Sequence, residues 1–202
     1  MIAVLDYGLG NVEAIRNMIC KIGYKSYLTN SADELQEASK IIIPGVGSFD
    51  KGMKNLINSG YLETLNKVVL VDKKPVLGIC LGMQLMCKGS EEGVLSGLGW
   101  IDAHVRKFQF EDNILKIPHI GWSDTICSNK SILFQNLYEE ARFYYVHSYI
   151  CKLKNQNEQI AVCEYGDLFT SAFAKDNIFG VQFHPEKSHS FGMRLLSNFI
   201  SL

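Results

Sequence analysis

The stretch Pro75-Val76-Leu77-Gly78-Ile79-Cys80-Leu81-Gly82-Met83-Gln84-Leu85 decides the fold of this 202-residue chain. Its first five residues contain no polar side chain, which is typical of a parallel strand buried on both faces. The glycines that flank Cys80 permit a sharp turn, and a helix is predicted to start at Leu81. We therefore predict a buried strand over Pro75–Ile79, a tight turn that holds Cys80, and a helix over Leu81–Cys87.

Short apolar strands alternate with amphipathic helices from this stretch back to the first residue. The predicted strands are Ile2–Leu5, Tyr27–Leu28 and Ile41–Ile43. The predicted helices are Val12–Ile22, a segment that starts at the capping-box pattern Ser31-Ala32-Asp33-Glu34 and ends near Ala38, Asp50–Ile57 and Tyr61–Val71. Because right-handed crossovers join parallel strands, this order predicts a doubly wound α/β sheet with helices on both faces.

The second half of the chain predicts antiparallel additions to that sheet. Between Trp100 and Ile117 short strands are predicted to meet at a hairpin turn, Glu111-Asp112-Asn113. Further strands are predicted at Phe143–Ile150, Ile160–Cys163, Phe169–Ala174 and Ile178–Phe183, and a closing helix over residues 190–202. No linker or internal repeat interrupts the pattern. We therefore expect a single domain over residues 1–202, with a mostly parallel, mixed sheet.

Composition excludes several classes of protein. Hydrophobic residues make up 47% of the chain and charged residues 20%, which excludes a disordered protein. A net charge of −1 gives no field to hold a polyanion, so we expect no nucleic-acid partner. No apolar run approaches the roughly 18 residues that a membrane span needs. Residues 1–5 lack a preceding cationic region, so we expect no signal peptide and a soluble, cytoplasmic protein.

Two glycine-rich turns follow predicted strands, and neither predicts a nucleotide site. Gly8-Leu9-Gly10 and Pro44-Gly45-Val46-Gly47 both lack the third glycine of a dinucleotide fingerprint and the lysine of a P-loop. Their place at the carboxyl ends of parallel strands favours active-site loops, with plain tight turns as the alternative. No C-x-x-C pair is present among the six cysteines. We predict neither a cofactor nor a metal.

Cys80 is the predicted nucleophile. The pattern Gly78-Ile79-Cys80-Leu81-Gly82 between a strand and a helix is that of a nucleophile elbow with Cys in place of Ser. The strained turn projects the side chain above the sheet, and the helix N-terminus favours a thiolate. The alternative is a buried cysteine between two incidental glycines, the role we expect for the other cysteines.

A base for this thiol is predicted in Phe183-His184-Pro185-Glu186. His184 ends an apolar strand, so it is expected at the same sheet edge as Cys80. Glu186 follows across a proline and can accept from one imidazole nitrogen while the other faces the thiol. The pattern predicts a Cys-His-Glu triad; a strand-end histidine bonded to the backbone is the alternative.

Six segments with this triad resemble the class I (triad-type) glutamine amidotransferases, in family order and over nearly the whole chain. They are Asp6-Tyr7-Gly8-Leu9-Gly10-Asn11, Pro44-Gly45-Val46-Gly47-Ser48-Phe49, Gly78-Ile79-Cys80-Leu81-Gly82-Met83-Gln84-Leu85, Pro118-His119-Ile120-Gly121-Trp122, Tyr145-Val146-His147-Ser148-Tyr149 and Phe183-His184-Pro185-Glu186-Lys187-Ser188. The resemblance implies that Cys80 attacks the side-chain amide of glutamine and forms a thioester. It also implies that His184 protonates the departing ammonia and that Glu186 orients His184.

The resemblance implies two further sets of residues around the thioester. Backbone N–H groups of Val46, Gly47 and Leu81 match the family's oxyanion hole, which stabilises the charged intermediate. The residues that match positions holding the glutamine backbone are Gln84, Glu92, Ser148 and Tyr149. Taken without the family, Tyr149 would be interpreted as an ordinary strand aromatic.

The segments around Pro44, Pro118 and Val146 are similar to one branch of the family, whose glutaminase subunits form a heterodimer with a (β/α)₈-barrel cyclase. This resemblance implies that ammonia passes to the cyclase, which makes imidazole glycerol phosphate and AICAR in histidine biosynthesis. Because few residues follow the triad, we expect the acceptor site on that separate subunit. The positions that match the interface are Asn11, Trp122, Tyr144 and Lys187; core packing is the alternative for the aromatic ones.

Three departures from that branch keep other functions open. Ser123 stands where Asn is usual, His189 where Gln or a small residue is usual, and Ile101-Asp102-Ala103 where a glycine is frequent. They allow a paralogous glutaminase that supplies a sugar amidotransferase in surface glycan biosynthesis. A catalytically silent scaffold, and a cysteine peptidase or redox protein of similar fold, are alternatives from other classes.

Overall fold

The structure is a computed structural model that describes residues 1–110, 115–137 and 140–202. Five parallel strands form its centre: β1 (Ile2–Leu5), β2 (Ser26–Thr29), β3 (Lys40–Gly45), β4 (Val76–Cys80) and β12 (Ile178–Val181). Their order across the sheet is β2-β1-β3-β4-β12. β4 therefore lies between two buried neighbours, and the loops that follow β3, β4 and β12 all leave the same edge of the sheet.

Helices cover both faces of these strands. They are α1 (Val12–Lys21), α2 (Ala32–Glu37), α3 (Phe49–Asn58), α4 (Leu62–Asn66) with a π-helical continuation over Lys67–Val71, α5 (Leu81–Leu85) and α6 (His189–Ile200). Ile41 and Ile43 pack in one apolar layer with α3, whereas Ile42 packs in the other with α1 and α6. This two-sided burial confirms the predicted doubly wound sheet. Among the helices described, none has the length and apolar character needed to cross a bilayer.

Further strands, most of them in antiparallel pairs, extend the sheet beyond β12. They are β5 (Gly89–Ser90), β6 (Ala103–Lys107), β7 (His119–Cys127), β8 (Arg142–His147), β9 (Tyr149–Leu153), β10 (Gln159–Tyr165) and β11 (Asp167–Lys175). From β12 the order continues β11-β10-β7-β8, while β9 pairs with β11 and β6, and β6 also pairs with β5. The mixed sheet with antiparallel strands in the second half is confirmed.

Three predictions about local structure need correction or lie beyond the description. The single strand predicted over Phe143–Ile150 is wrong, because the chain changes pairing partner at Ser148: β8 pairs with β7, whereas β9 pairs with β6 and β11. The capping box is also wrong, since the Ser31 side chain makes no capping hydrogen bond to α2. The predicted turn Glu111-Asp112-Asn113 lies outside the described residues.

Candidate active site

The backbone at Cys80 is strained in the way a nucleophile elbow requires. Cys80 ends β4 with φ 52° and ψ −108°, a region that residues with a Cβ rarely adopt, and α5 begins at the next residue. A Cβ on Gly82 would lie 1.8 Å from the Ile43 carbonyl oxygen, and one on Gly78 would lie 2.7 Å from the Gly82 carbonyl carbon. The two glycines are therefore sterically required for this turn.

His184 and Glu186 lie at the same sheet edge as Cys80. Val181 of β12 pairs in parallel register with Ile79 of β4, so the segment after β12 runs beside the elbow. His184 Nδ1 lies 2.8 Å from Glu186 Oε1, and the two side chains are only 3% and 4% exposed. This shielding from water strengthens the interaction between the two side chains. Because Glu186 contacts Nδ1, the imidazole Nε2 is left to interact with the thiol.

The turn that carries His184 is bonded to β8. The His184 N–H donates to the Tyr144 carbonyl at 2.8 Å, and the Ser188 hydroxyl donates to the His184 carbonyl at 2.6 Å. The Tyr144 N–H in turn donates to Ser188 Oγ at 3.0 Å. These three bonds fix the imidazole relative to the sheet.

The surroundings of His184 favour its charged form. Burial by itself lowers the pKa of His184, but hydrogen bonding to Cys80 and Glu186 and the charges of those two groups outweigh burial and raise the pKa to about 10. An imidazolium beside a thiol stabilises the thiolate, which is the reactive form of cysteine. The site can therefore present a proton donor, the His184 imidazolium, beside the Cys80 sulfur.

Gln182 contacts the predicted nucleophile Cys80, and no role for it was predicted from the sequence. Its Nε2 donates to Cys80 Sγ at 3.7 Å, and its Oε1 accepts from Gln84 Nε2 at 3.1 Å. Gln84 Nε2 also donates to the Tyr149 carbonyl at 3.1 Å. The only sequence signal for Gln182 is a polar residue inside the apolar run that leads to His184.

A cavity of about 230 Å³ opens over Cys80 and collects the residues predicted to bind glutamine. Its lining includes the three predicted oxyanion-hole residues and the four predicted glutamine-binding residues: Val46, Gly47, Leu81, Gln84, Glu92, Ser148 and Tyr149. Pro118, Val146 and His147 complete the wall and had been assigned no role. The Glu92 carboxylate accepts from the Phe49 N–H at 2.8 Å, so it also holds the start of α3. The structure thus brings both predicted sets together beside Cys80.

Three of the four predicted interface residues form a surface group together with His189. We call this group the Trp122 cluster; it consists of Trp122, Tyr144, Lys187 and His189. The Trp122 ring stacks on His189 at 5.5 Å and meets Tyr144 edge-on at 6.1 Å. The ammonium of Lys187 lies 5.5 Å from the Tyr144 ring centroid. Trp122 is 38% exposed, which argues against core packing.

The fourth predicted interface residue, Asn11, is not a member of the Trp122 cluster. It is exposed and caps α1, its Oδ1 accepting from the Ala14 N–H at 3.3 Å. α1 contacts the 3₁₀ turn Pro185–Lys187, so Asn11 lies on a helix that adjoins the triad segment. Partner binding by these four residues stays a prediction.

The comparisons identify the class of protein. Residues 3–202 match the family model of the class-I glutamine amidotransferases. The chain therefore belongs to the class I glutamine amidotransferase family. It is similar to imidazole glycerol phosphate synthase subunit HisH 2 of Methanococcus maripaludis, with 53% identity over 200 residues that cover 99% of this chain and 98% of that protein.

Further relatives carry the same type of name. Subunit HisH 2 of Pseudomonas aeruginosa is 44% identical over 202 residues, and subunit HisH of Leptospira interrogans is 46% identical over 204 residues, each alignment covering 100% of both chains. Among solved structures, a glutamine amidotransferase has a TM-score of 0.76 at 18% identity, covering 99% of this chain and 97% of that one. PurLQS from Thermotoga maritima has a TM-score of 0.71 at 18% identity with the same coverage of both chains. These structures support the fold alone.

Proposed function

We propose that this chain is the glutaminase subunit of imidazole glycerol phosphate synthase, which hydrolyses glutamine to glutamate and ammonia and passes the ammonia to a (β/α)₈-barrel cyclase subunit. One observation carries the proposal: a pocket with Cys80 at its base and a shielded His184–Glu186 pair beside it. Full-length identity of 44–53% to three subunits of that synthase supports the choice of acceptor pathway.

The chemistry follows from the placement of the triad. The Cys80 thiolate adds to the side-chain amide carbon of glutamine, and the amide oxygen becomes an oxyanion. In the proposal, the backbone N–H groups of Val46, Gly47 and Leu81 stabilise that charge, and these three residues all line the pocket. The His184 imidazolium gives its proton to the amide nitrogen, the C–N bond breaks, and ammonia leaves a thioester on Cys80.

Hydrolysis of the thioester completes the cycle. His184, now neutral, takes a proton from a water molecule that adds to the thioester carbon. The C–S bond then breaks, glutamate leaves, and Cys80 is again a thiolate beside an imidazolium. Glu186 keeps Nδ1 of His184 protonated through both steps, so that Nε2 alone exchanges protons with the reactants.

The pocket offers groups that suit the zwitterionic backbone of glutamine. Gln84 Nε2 is occupied by the Tyr149 and Gln182 carbonyl oxygens, which leaves Gln84 Oε1 to accept from the α-ammonium group. The Glu92 carboxylate adds negative charge on the same wall. The Ser148 hydroxyl can donate to the α-carboxylate. Recognition of both ends explains why a free amino acid, rather than a peptide, is the proposed substrate.

The partner is proposed to bind on the Trp122 cluster and Asn11. An exposed tryptophan beside a tyrosine and a lysine has the composition of an interface anchor. Because the cluster is bonded to the His184 turn through Tyr144, a subunit bound there would lie next to the point where ammonia is released. The six cysteines are all free thiols, which supports a reducing, cytoplasmic location as part of the proposal.

A different acceptor is the second candidate, and the Trp122 cluster contains the observation that favours it. His189, one of the departures from the family pattern, stacks directly on Trp122, and Ser123 follows Trp122 on β7. Two of the relatives are numbered as second subunits of their organisms. A paralogue serving a sugar amidotransferase would differ at this surface and keep the triad intact. The shielded triad argues against a silent scaffold.

Complementation separates these candidates. The chain is expressed in a strain that lacks its histidine-pathway glutaminase, with the Cys80→Ala variant as the matched control. We expect growth without histidine from the unmodified chain and none from Cys80→Ala. Failure of the unmodified chain to support growth, together with glutamine hydrolysis beside a different barrel subunit, would move the assignment to the second candidate.

A further inference from the structure

A series of hydrogen bonds through Ser123, His119 and His147 runs from β7 to the proposed glutamine pocket, and the chemical steps proposed above use none of these three side chains. Ser123 Oγ lies 2.8 Å from His119 Nε2, and His119 Nδ1 lies 3.2 Å from His147 Nε2. His147 Nδ1 lies 2.9 Å from the Tyr149 carbonyl oxygen. Three side chains thus connect β7 to the first residue of β9.

The chemistry of the groups determines which atom donates and which accepts in each of these hydrogen bonds. The Tyr149 carbonyl can only accept, so His147 Nδ1 must carry the proton and its Nε2 must accept. His119 then donates from Nδ1, and its own Nε2 accepts. The donor to His119 Nε2 is therefore the Ser123 hydroxyl.

The surroundings of the two imidazoles keep them neutral and hold them in place. The His119 ring stacks between Tyr145 at 4.9 Å and Tyr165 at 4.0 Å. His147 packs against Phe108 at 5.2 Å and Phe169 at 5.1 Å. Burial lowers the pKa of His119 to about 4. The pKa of His147 falls to about 3, mainly because of burial; the hydrogen bond to the Tyr149 carbonyl opposes this shift, and the charges of His119 and His184 add to it. At neutral pH each ring therefore has one donor and one acceptor.

Both ends of this series of hydrogen bonds adjoin groups with a proposed function. The Tyr149 carbonyl that accepts from His147 also accepts from Gln84, which lies on the pocket wall. Ser123 follows Trp122, an exposed residue of the surface proposed above to bind the partner. We propose that Ser123, His119 and His147 are positioning residues, which fix the Tyr149 carbonyl and with it the Gln84 amide, and thereby set the affinity for glutamine.

The first test measures steady-state glutamine hydrolysis by the full chain, and it rests on the proposed function. Removing the Ser123 hydroxyl in Ser123→Ala should raise KM for glutamine about 3- to 10-fold with little change in kcat. Ser123→Thr, which keeps the hydroxyl, should restore the KM. Ser131→Ala is the matched control, because the Ser131 side chain caps nothing, and it should behave as the unmodified chain.

A double variant tests whether Ser123 acts through His119. His119→Phe keeps an aromatic ring between Tyr145 and Tyr165 but cannot donate to His147. If the residues form one chain, Ser123→Ala should add nothing to the KM of His119→Phe. Additive effects, or a Ser123→Ala variant that matches Ser131→Ala, would overturn the proposal.

The second test needs no activity and so separates this inference from the proposed function. Nitrogen-15 chemical shifts of the histidine side chains in the unmodified chain report which imidazole nitrogen carries the proton. We expect both His119 and His147 to be neutral and protonated at Nδ1. A proton on Nε2 of either ring would overturn the proposal, whether or not the chain hydrolyses glutamine. Absence of glutamine hydrolysis with the expected tautomers would instead count against the proposed function.

Discussion

Nδ1 of His184 lies 2.8 Å from Oε1 of Glu186, and a single proline separates the two residues along the chain. The pair is shielded from water on the side of the imidazole away from the nucleophile. In the proposed mechanism the carboxylate acts on one proton only: it fixes the tautomer and stabilises the imidazolium. Both groups of this acid–base pair therefore come from one three-residue segment, His184–Glu186.

Replacing Glu186 tests how much of the reactivity depends on that pair. Glu186→Gln should lower kcat for glutamine hydrolysis about 100-fold or more, because the imidazolium loses its counter-charge and the fixed tautomer. The pKa of His184 should fall from about 10 towards its ordinary value of 6.5. Initial rates across pH should then show the limb assigned to His184 at lower pH than in the unmodified chain.

The same variant should change the pH dependence of stability. A pKa raised on folding contributes stability that is complete below the unfolded-state value of 6.5 and is lost as the pH rises through about 10. In urea unfolding, the free energy of unfolding lost in Glu186→Gln should therefore be larger near about pH 6 than near about pH 10. Glu164→Gln on an exposed position is the control. An equal deficit at both pH values would contradict the assigned pair.

The elbow glycine gives a prediction about folding. Gly82→Ala places a methyl group 1.8 Å from the Ile43 carbonyl oxygen, and the backbone of β3 must move to admit it. We expect a loss of about 3 kcal/mol or more in the free energy of unfolding. Gly89→Ala is the matched control, since its new Cβ meets only ordinary contacts at 3.6 Å. Similar urea midpoints for the two variants would show that the elbow is not packed as described.

The Gln84 side chain gives a prediction about substrate binding. Gln84→Ala removes the donor to the Tyr149 and Gln182 carbonyl oxygens and the proposed acceptor for the substrate ammonium. KM for glutamine should rise about 10- to 100-fold, as expected for unsatisfied buried groups. Gln156→Ala, which removes one surface bond to the Leu153 carbonyl, should leave KM unchanged. Equal KM values in both variants would remove Gln84 from the binding site.

The Trp122 cluster gives a prediction about the partner. Trp122→Ala should weaken binding of the cyclase subunit about 30-fold, because an exposed aromatic anchor is lost. Tyr24→Ala is the control: Tyr24 is 37% exposed but precedes β2, at the opposite edge of the sheet. Titration calorimetry with the cyclase measures both affinities. Loss of affinity in Tyr24→Ala and none in Trp122→Ala would place the interface elsewhere.

The parallel half of the fold could be predicted because its signals are local. Apolar runs such as Ile41–Ile43, the periodicity of Val12–Ile22 and the glycines around Cys80 each specify an element without reference to distant residues. Strand β7 and the break at Ser148 could not be predicted in this way. Both depend on which strands pair with the 119–153 region, and pairing is decided by tertiary contacts.

The same distinction between local and tertiary signals applies to the residues of the site. Cys80, His184 and Glu186 stand in short patterns whose spacing carries the chemistry, so they could be proposed as a triad. Gln182 could not be found, because its importance arises from β12 lying beside β4, which brings it to the Cys80 sulfur. The His119–His147 contact likewise joins residues of two paired strands.

Whether ammonia is released from glutamine through a thioester on Cys80 is decided by turnover in the complex of Cys80→Ala with the cyclase subunit, measured separately with glutamine and with free ammonium. We expect that glutamine supports no turnover in this variant, while free ammonium supports turnover at the rate of the unmodified complex. Glutamine-dependent turnover that survives the loss of the Cys80 sulfur would rule out Cys80 as the nucleophile, because no thioester could then form.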